Sequence, residues 1–199
     1  MTAQRLILAS GSAARRSMLS AAGLNFNAVP AAIDEDHLMQ QLAGRASHPN
    51  IAVYLAEAKA LDVSGRSGDA LVIGSDQILS TGDDILSKPG SREGAVETLR
   101  KLRGRMHMLY SAVALAANEA VIWQTVDTAK LKMRSLSDND IARYLDAAGE
   151  DIFGCVGAYQ IEGLGAGLFE TVEGDRHTIM GMPLVPLLKE LRRREGPSS

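Results

Sequence analysis

The sequence predicts an α/β protein in which a mixed β-sheet is flanked by helices. A short apolar run at residues 6–8 is followed by a tight loop and a helical segment, and the uninterrupted apolar run at residues 70–74 is typical of a strand buried on both faces. Residues 107–134 have strand spacing on both sides of Asn118-Glu119, which indicates a long antiparallel hairpin. Strands that alternate with helices and include one hairpin produce a mixed sheet covered by helices.

The first half of the chain is predicted to alternate between strands and helices. Gly23 and Gly104 each follow a helical segment, where glycine accommodates the left-handed conformation that often ends a helix. We expect the second strand to carry Asp76 at its end. In order, the predicted elements are a strand at 6–8, a helix at 13–22, a helix at 51–61, a strand at 70–74 and a helix at 92–103.

The second half begins with the hairpin and ends in a helix. Ser137 has the side chain of an N-cap, and Gly149 follows the helix that it would begin. Pro183 suits the first turn of the final helix, whose tail at residues 192–199 is expected to fray. The predicted elements are strands at 107–117 and 121–134, a helix ending at 148, a glycine-rich segment at 154–167, a strand at 168–172 and a helix from 183.

Length and composition favour one globular domain over residues 1–199. A net charge of -3 and an aromatic content of 4% differ from a nucleic-acid-binding domain, which needs a basic face and stacking side chains. Lys130, Lys132 and Arg134 alternate with apolar residues, so we interpret them as the solvated face of a strand. We therefore expect no nucleic-acid partner.

We expect no membrane partner either, because no segment approaches the roughly 18 apolar residues of a membrane span. The apolar run near the N-terminus is too short for a secretory signal, which predicts a cytoplasmic protein. Cys155 is the only cysteine, so the chain can form neither an internal disulfide nor a zinc site with several thiolates.

The loop and helix start at residues 10–16 could bind phosphate. Unpaired amides at a helix N-terminus, the hydroxyls of Ser10 and Ser12 and the guanidinium groups of Arg15 and Arg16 are suited to an anion. The segment lacks the Gly-Lys-Ser/Thr ending of a Walker loop. In the structural alternative, Ser12 is only an N-cap and the arginines form only a solvated first turn.

Two acidic segments could supply a base and hard oxygen ligands. Asp76 follows a buried strand, where α/β proteins place their sites, and could accept a proton from water or hold a metal ion. Glu35, within Asp34-Glu35-Asp36, could be a magnesium ligand. The alternatives are a capping or turn aspartate at position 76 and a polar loop around Glu35.

Further candidates are isolated charged residues. Lys59 and Lys88 could neutralise charge on a phosphate chain, although isolated lysines are usually solvated. Glu162 lies in the glycine-rich segment and could accept hydrogen bonds from a guanine edge, or could be a charged turn residue. Cys155 and His107 have no partner at diagnostic spacing, so we interpret them as a small core residue and a structural histidine.

In their order along the chain, these segments resemble the Maf family of nucleoside triphosphate pyrophosphatases from end to end. Residues 6–16 are similar to the family's opening motif, a hydrophobic strand followed by Ala-Ser-x-Ser-Pro-Arg-Arg, with Ala14 in the place of proline. The other matching segments are Asp34-Glu35, Ala56-Glu57-Ala58-Lys59-Ala60, Gly74-Ser75-Asp76-Gln77, Ser87-Lys88-Pro89, Gly157-Ala158-Tyr159-Gln160-Ile161-Glu162-Gly163 and Gly181-Met182-Pro183-Leu184.

The resemblance implies a fold and a reaction. The fold would be Maf-like, and so inosine triphosphatase-like: a mixed twisted sheet with a long antiparallel hairpin, flanking helices and a nucleotide cleft between two lobes. The reaction would be hydrolysis of a nucleoside triphosphate to the monophosphate and diphosphate, with a divalent metal cation, Mg²⁺ or Mn²⁺, as cofactor. A homodimer is also implied.

The resemblance further implies a role for each site residue. Asp76 would be the general base and, with Glu35, a metal ligand. The triphosphate would be held by Ser10, Ser12, Arg15, Arg16, Lys59 and Lys88. On this basis Arg15→Ala and Lys88→Ala are expected to weaken nucleotide binding or turnover with little loss of stability, because surface charges contribute little to folding.

Gln77 and Glu162 resemble the subgroup that acts on 7-methylguanosine triphosphate. Threonine after the aspartate and glutamine in the later motif would mark the subgroup acting on thymidine and uridine triphosphates. A carboxylate suits guanine N1 and N2 donors and a cationic methylated base. The alternatives are a pyrimidine triphosphate pyrophosphatase and a nucleotide-binding regulator of cell division without turnover.

Overall fold

The computed structural model describes residues 5–195, and within that range seven strands and seven α-helices are present. The strands are β1 (Leu6–Leu8), β2 (Asn27–Ala28), β3 (Leu71–Thr81), β4 (Asp84–Leu86), β5 (Met106–Ala117), β6 (Ala120–Met133) and β7 (Phe169–Glu173). The α-helices are α1 (Ala13–Ala21), α2 (Glu35–Leu42), α3 (His48–Ser64), α4 (Arg92–Leu102), α5 (Asp138–Ala148), α6 (Arg176–Ile179) and α7 (Leu184–Glu195). Two 3₁₀-helices, Glu150–Gly154 and Leu164–Leu168, lie between α5 and β7.

The strands form one mixed sheet in the order β2-β1-β3-β5-β6-β7, with β4 paired to β3. β1 is parallel to β2 and β3, whereas β4 is antiparallel to β3 and β7 is antiparallel to β6. Asn118 and Glu119 connect β5 to β6, and their positive φ angles of 50° and 61° are those that a two-residue type I′ turn requires. The predicted mixed α/β sheet with a long antiparallel hairpin is confirmed.

Two compact units share the chain, and each combines separate stretches of it. The first unit contains the described residues up to Gln77, Ser111–Asp127 and those from Gly181 onward, whereas the second contains Ile78–Tyr110 and Thr128–Met180. β3, β5 and β6 each contribute residues to both units. The expectation of one domain over the whole chain stays a prediction.

In the first unit, the backbone of β3 closely approaches the backbone of α3. A Cβ atom added at Gly74 would collide with the carbonyl oxygen of Ala56 and with the backbone nitrogen of Ala60. Glycine is therefore required where this strand and this helix meet. Asp76 lies two positions after Gly74, so its side chain is on the same face of β3, towards α3.

The second unit has its own hydrophobic core, built from α4, α5 and the parts of β3, β5 and β6 that belong to it. Its largest fully buried side chains are Leu79, Leu99, Leu102, Leu109, Leu131, Met133 and Ile141. On β6, Lys130 is exposed and Lys132 forms an ion pair of 2.6 Å with Glu170 on β7. The interpretation of these lysines as a solvated strand face is confirmed.

The expected end of the second predicted strand was wrong. β3 continues to Thr81, so Asp76 lies in the interior of a strand and not at its end. The apolar pattern is interrupted by Ser75, Asp76 and Gln77, but Ile78 and Leu79 are again buried. Polar residues inside a buried strand are tolerated when they have partners, which the apolar pattern does not reveal.

The alternative that residues 34–36 are only a polar loop does not hold, because they form the beginning of α2. Asp34 is its N-cap, and its carboxylate accepts a hydrogen bond from the backbone of His37 over 2.9 Å. Glu35 and Asp36 occupy the first turn, where negative charge is favoured by the helix dipole.

The other predicted helices are confirmed, with shifts at their ends. α3 extends beyond the predicted 51–61 in both directions, with a proline in its first turn. α5 begins with a capping box formed by Ser137 and Asp140. The short elements β2, β4 and α6 were not predicted. Of the tail expected to fray, residues 192–195 are helical and residues 196–199 lie outside the described residues.

Candidate active site

Asp76 is a buried carboxylate paired with a buried lysine. Asp76 is 6% exposed, and Lys59, which projects from α3, is 7% exposed. Lys59 Nζ donates a hydrogen bond to Asp76 Oδ1 over 2.5 Å. Position 76 is therefore not a cap or turn, and Lys59 is not a solvated surface lysine. Burying either charge alone would be strongly unfavourable, so the two residues depend on each other.

Glu35 joins this pair from the first turn of α2. Its Oε2 atom lies 2.9 Å from Lys59 Nζ, and its side chain is 44% exposed. One ammonium group therefore lies between two carboxylates, of which one is buried and the other is accessible to solvent. The resulting set, Lys59, Asp76 and Glu35, is called the carboxylate–lysine cluster below.

The loop before α1 is organised by its serines. Ser12 is the N-cap of α1, since its Oγ accepts a hydrogen bond from the backbone of Arg15. Ser10 is buried, and its Oγ accepts one from the backbone of Ser12 over 3.2 Å. Arg16 is exposed and donates to the carbonyl oxygen of Gly11 over 2.8 Å. The N-cap predicted at Ser12 is confirmed.

Arg15 is partly buried, and its guanidinium group donates hydrogen bonds to three acceptors inside the protein. Its Nη1 atom donates to the carbonyl oxygen of Ser75 over 2.8 Å and lies 3.4 Å from Ser10 Oγ, while its Nε atom donates to the carbonyl oxygen of Gly181 over 3.0 Å. The structural alternative of a solvated first turn therefore fits Arg16 but not Arg15. The premise that Arg15 is a surface charge was likewise wrong.

Arg15 also interacts electrostatically with the two carboxylates of the carboxylate–lysine cluster. Burial lowers the pKa of its guanidinium group, and the negative charges of Asp76 and Glu35 oppose this shift in pKa. The guanidinium group is thus electrostatically coupled to both carboxylates. The phosphate-type loop and the acidic residues belong to one charged neighbourhood in the first unit.

Two positions next to this neighbourhood were missed as structural partners. Ser75 is fully buried, and its hydroxyl has two carbonyl oxygens as acceptors, that of Ala112 at 2.8 Å and that of Gly181 at 3.0 Å. Gly181 has a φ of 106°, which favours glycine. The sequence signal that could have identified Ser75 and Gly181 is that both lie in segments that match the family. Gln77, one position after Asp76, donates to Ser111 Oγ over 2.9 Å.

Lys88 and Glu162 belong to the second unit, and both are exposed. The charges of both residues influence the thiol of Cys155. Burial is the largest cause of the raised pKa of this thiol, the negative charge of Glu162 raises the pKa further, and the positive charge of Lys88 lowers it. Cys155 is only partly buried, so its interpretation as a core residue was wrong.

The glycine-rich segment is anchored by Tyr159, three residues before Glu162. The Tyr159 hydroxyl lies 2.9 Å from His107 Nε2, and its ring packs edge-on against Phe169 with centroids 4.8 Å apart. Gly157 has no space for a side chain, because a Cβ atom there would collide with the Tyr159 ring. The expectation that His107 is structural agrees with this position: it is 1% exposed.

The structure thus brings together Ser10, Ser12, Arg15, Lys59, Asp76 and Glu35 in the first unit, with Arg16 and Gln77 beside them, and Lys88 with Glu162 in the second. Among residues 5–195, no group of three or more His, Cys, Asp and Glu side chains could hold a metal ion. Glu35 and Asp76 nevertheless fit Mg²⁺ or Mn²⁺, because these cations are commonly bound by one or two carboxylates and complete their shell with water and phosphate oxygens.

None of the helices described here has both the length and the apolar character needed to cross a membrane.

Comparison with known proteins places the chain in a family. A protein named 7-methyl-GTP pyrophosphatase from Rhizobium meliloti (strain 1021) is 53% identical over 188 residues, which cover 94% of each chain. One named nucleoside triphosphate pyrophosphatase from Rhodopseudomonas palustris (strain BisB18) is 47% identical over 96% of this chain and 94% of its own.

A solved structure, titled as the nucleoside-triphosphatase / dITP/XTP pyrophosphatase of Mycobacterium abscessus, has a TM-score of 0.40 and 14% identity, with 96% of this chain and 95% of that chain covered. The family model described as "Maf-like protein" matches residues 5–194. Since that match spans nearly the whole sequence and the curated relatives are about half identical to it, this chain belongs to the Maf-like protein family.

Proposed function

We propose that this protein is a nucleoside triphosphate pyrophosphatase that hydrolyses 7-methylguanosine triphosphate to the monophosphate and diphosphate. It is a hydrolase of an acid anhydride bond, in keeping with the names of its relatives. The observation that carries the proposal is the carboxylate–lysine cluster, in which the buried Asp76 is paired with Lys59, while Arg15 of α1 donates to the neighbouring carbonyl oxygen of Ser75.

In the proposed mechanism Asp76 is the general base. Water attacks the α-phosphorus and gives a proton to the Asp76 carboxylate, while the bond between the α-phosphorus and the α,β-bridging oxygen breaks and diphosphate leaves. Lys59 orients Asp76 through its hydrogen bond to Oδ1, so the carboxylate is held in place before the substrate binds.

Basic side chains of the first unit are proposed to bind the negatively charged triphosphate. Arg15, Arg16 and Lys59 stabilise the charge that builds up on the leaving diphosphate, and the hydroxyls of Ser10 and Ser12 with the amides of α1 bind phosphate oxygens. Lys88 is assigned the same role on the basis of its motif. A divalent cation held by Glu35 and Asp76 together with phosphate oxygens would neutralise further charge.

The substrate assignment depends on Gln77 and Glu162. The Glu162 carboxylate accepts from guanine N1 and N2 donors, and its negative charge complements the positive charge of the 7-methylated ring. Gln77 is held at its amide by Ser111, which leaves it in a defined orientation. We also propose Mg²⁺ or Mn²⁺ as the cofactor, a homodimer as the assembly and the cytoplasm as the location.

The test is release of diphosphate from a panel of triphosphates with Mg²⁺ or Mn²⁺. The panel contains the 7-methylguanosine, uridine, thymidine, inosine and adenosine forms. Asp76→Asn is compared with Asp83→Asn, a matched change at an exposed turn. We expect preference for 7-methylguanosine triphosphate and a loss of kcat of about 100-fold or more in Asp76→Asn only, the usual loss for a general base.

Each other outcome has a defined meaning. Preference for the uridine or thymidine forms would keep the reaction and discard the argument from Gln77 and Glu162. Full turnover by a folded Asp76→Asn protein would remove its assignment as the base. Nucleotide binding without diphosphate release from any of the five would favour the regulator.

A further inference from the structure

Lys59 occupies the space between the two carboxylates that are proposed to bind the cation. Its Nζ atom lies 2.5 Å from Asp76 Oδ1 and 2.9 Å from Glu35 Oε2. A cation bound by the same two oxygens would need the same space. The ammonium group and a divalent cation therefore compete for one position.

The formal charges around this position already balance. Asp76 and Glu35 contribute two negative charges, and Lys59 and the coupled Arg15 contribute two positive charges. Because Asp76 and Lys59 are both buried, adding a doubly charged cation to a balanced and poorly solvated set is unfavourable. A triphosphate changes this balance, since it brings several negative charges.

We propose that the Lys59 ammonium group serves as the resident counter-cation of Asp76 and Glu35, which excludes a divalent cation until a triphosphate binds. The phosphate chain then attracts the ammonium group to its own oxygens, and the two carboxylates become available to the cation. This inference rests on the proposed function, because it assumes that the triphosphate and the cation share this site.

The lysine side chain is suited to such an exchange. Its four-carbon stem is flexible and its ammonium group has three donors that can be redirected. The backbone of α3 stays fixed at the contact of Ala56 and Ala60 with Gly74, so only the side chain has to move. Asp76 and Glu35 keep their positions on β3 and α2.

The first experiment measures Mn²⁺ binding to the free protein, with unbound Mn²⁺ detected by electron paramagnetic resonance. Lys59→Met removes the charge with little change in volume, and Lys101→Met is the matched control at an exposed position of α4. We expect at least tenfold tighter Mn²⁺ binding by Lys59→Met than by the wild type and no change in Lys101→Met. The double variant Lys59→Met with Asp76→Asn should not bind Mn²⁺ more tightly than the wild type. Equal or weaker Mn²⁺ binding by folded Lys59→Met would overturn the proposal.

The second experiment uses the wild-type protein, because Lys59→Met leaves Asp76 without its partner and could fail to fold. The ¹⁵N resonance of the Lys59 ammonium group is assigned from its loss in Lys59→Arg. Mg²⁺ alone should leave this resonance in place, whereas Mg²⁺ with α,β-methylene-GTP should shift it. A shift with Mg²⁺ alone, or none with Mg²⁺ and the analogue, would contradict the exchange.

Failure of the proposed function would be seen separately. Absence of diphosphate release from the nucleotide panel would leave the comparison of Mn²⁺ binding intact, since that comparison needs no turnover. Conversely, an active enzyme whose Lys59→Met variant binds Mn²⁺ no more tightly would keep the pyrophosphatase and discard the counter-cation.

Discussion

Buried ionisable side chains in this protein are accommodated in two different ways. Asp76 is paired with Lys59, which donates a hydrogen bond to it directly. Among the described residues, the His107 side chain has one hydrogen bond, between its Nε2 atom and the Tyr159 hydroxyl, and its Nδ1 atom has no partner. Burial lowers the pKa of His107 to about 4. The first residue is stabilised by an opposite charge, whereas the second is stable only when it is neutral.

His107 makes stability depend on pH between about 4 and 6.5. Its pKa is 6.5 unfolded and about 4 folded, so the unfolded state binds more protons between these values and stability falls as the pH drops from 6.5 towards 4. At about 1.4 kcal/mol per pH unit, the full loss is about 3 kcal/mol. Urea unfolding at several pH values measures it.

The matched comparison for this prediction is His107→Gln, which keeps a polar group beside Tyr159 but does not titrate. Its free energy of unfolding should vary less between pH 4.5 and 6.5 than that of the wild type. Asp140 and Glu190, whose pKa values are lowered to about 2 by hydrogen bonds from Ser137 and Arg193, contribute only at lower pH. Identical pH profiles for both proteins would contradict the assignment to His107.

At the scale of elements, the contact between β3 and α3 places Asp76 beside Lys59. The helix and strand approach so closely because Gly74 has no side chain. Lys59 lies between Ala56 and Ala60, the two helix residues that meet this glycine. The distance between the Asp76 carboxylate and the Lys59 ammonium group is therefore set by a backbone contact, and not only by the two side chains.

Gly74→Ala should accordingly lower both stability and activity. The added methyl group has to displace backbone atoms of α3, so we expect a loss of about 1–3 kcal/mol in the free energy of unfolding, as in other overpacked cores. Turnover should also fall, because the shift of α3 displaces Lys59, which orients Asp76 before the substrate binds and is proposed to bind the triphosphate. Gly167→Ala is the control, since its Cβ atom would have nothing within 4 Å.

Denaturant unfolding and steady-state kinetics on both glycine variants measure the two effects. Equal behaviour of Gly74→Ala and Gly167→Ala would show that the contact between the elements has no such importance.

At the scale of the whole molecule, the proposed site residues are divided between the two units. The carboxylate–lysine cluster, the α1 loop and Gln77 belong to the first unit, whereas Lys88 and Glu162 belong to the second. On the proposed function, Asp76 and its partners carry the chemistry, and Glu162 carries most of the base recognition. Substrate choice should therefore be separable from turnover.

Glu162→Gln tests this separation. Loss of the negative charge should lower kcat/KM for 7-methylguanosine triphosphate by about tenfold or more, which corresponds to about 1.4 kcal/mol, with little effect on uridine triphosphate. Glu150→Gln, also at an exposed position of the second unit, is the control. Parallel losses on both nucleotides would indicate that Glu162 does not read the base.

Local sequence alone determined the class of fold and most of the elements. The hairpin turn at Asn118-Glu119 and the capping residues Ser12 and Ser137 are local signals, because they depend on neighbouring backbone groups. The resemblance to the Maf family selected Lys59 and the other candidate residues by their order in the chain. It could not say which of them would be in contact.

Tertiary structure alone decided the environments of those residues. Arg15 and Arg16 are adjacent and chemically identical in the sequence, yet one holds buried carbonyl oxygens and the other is exposed. Lys59 and Lys88 likewise differ, since only Lys59 is buried against carboxylates. Burial and ion pairing depend on residues far apart in the chain, so no local pattern contains them.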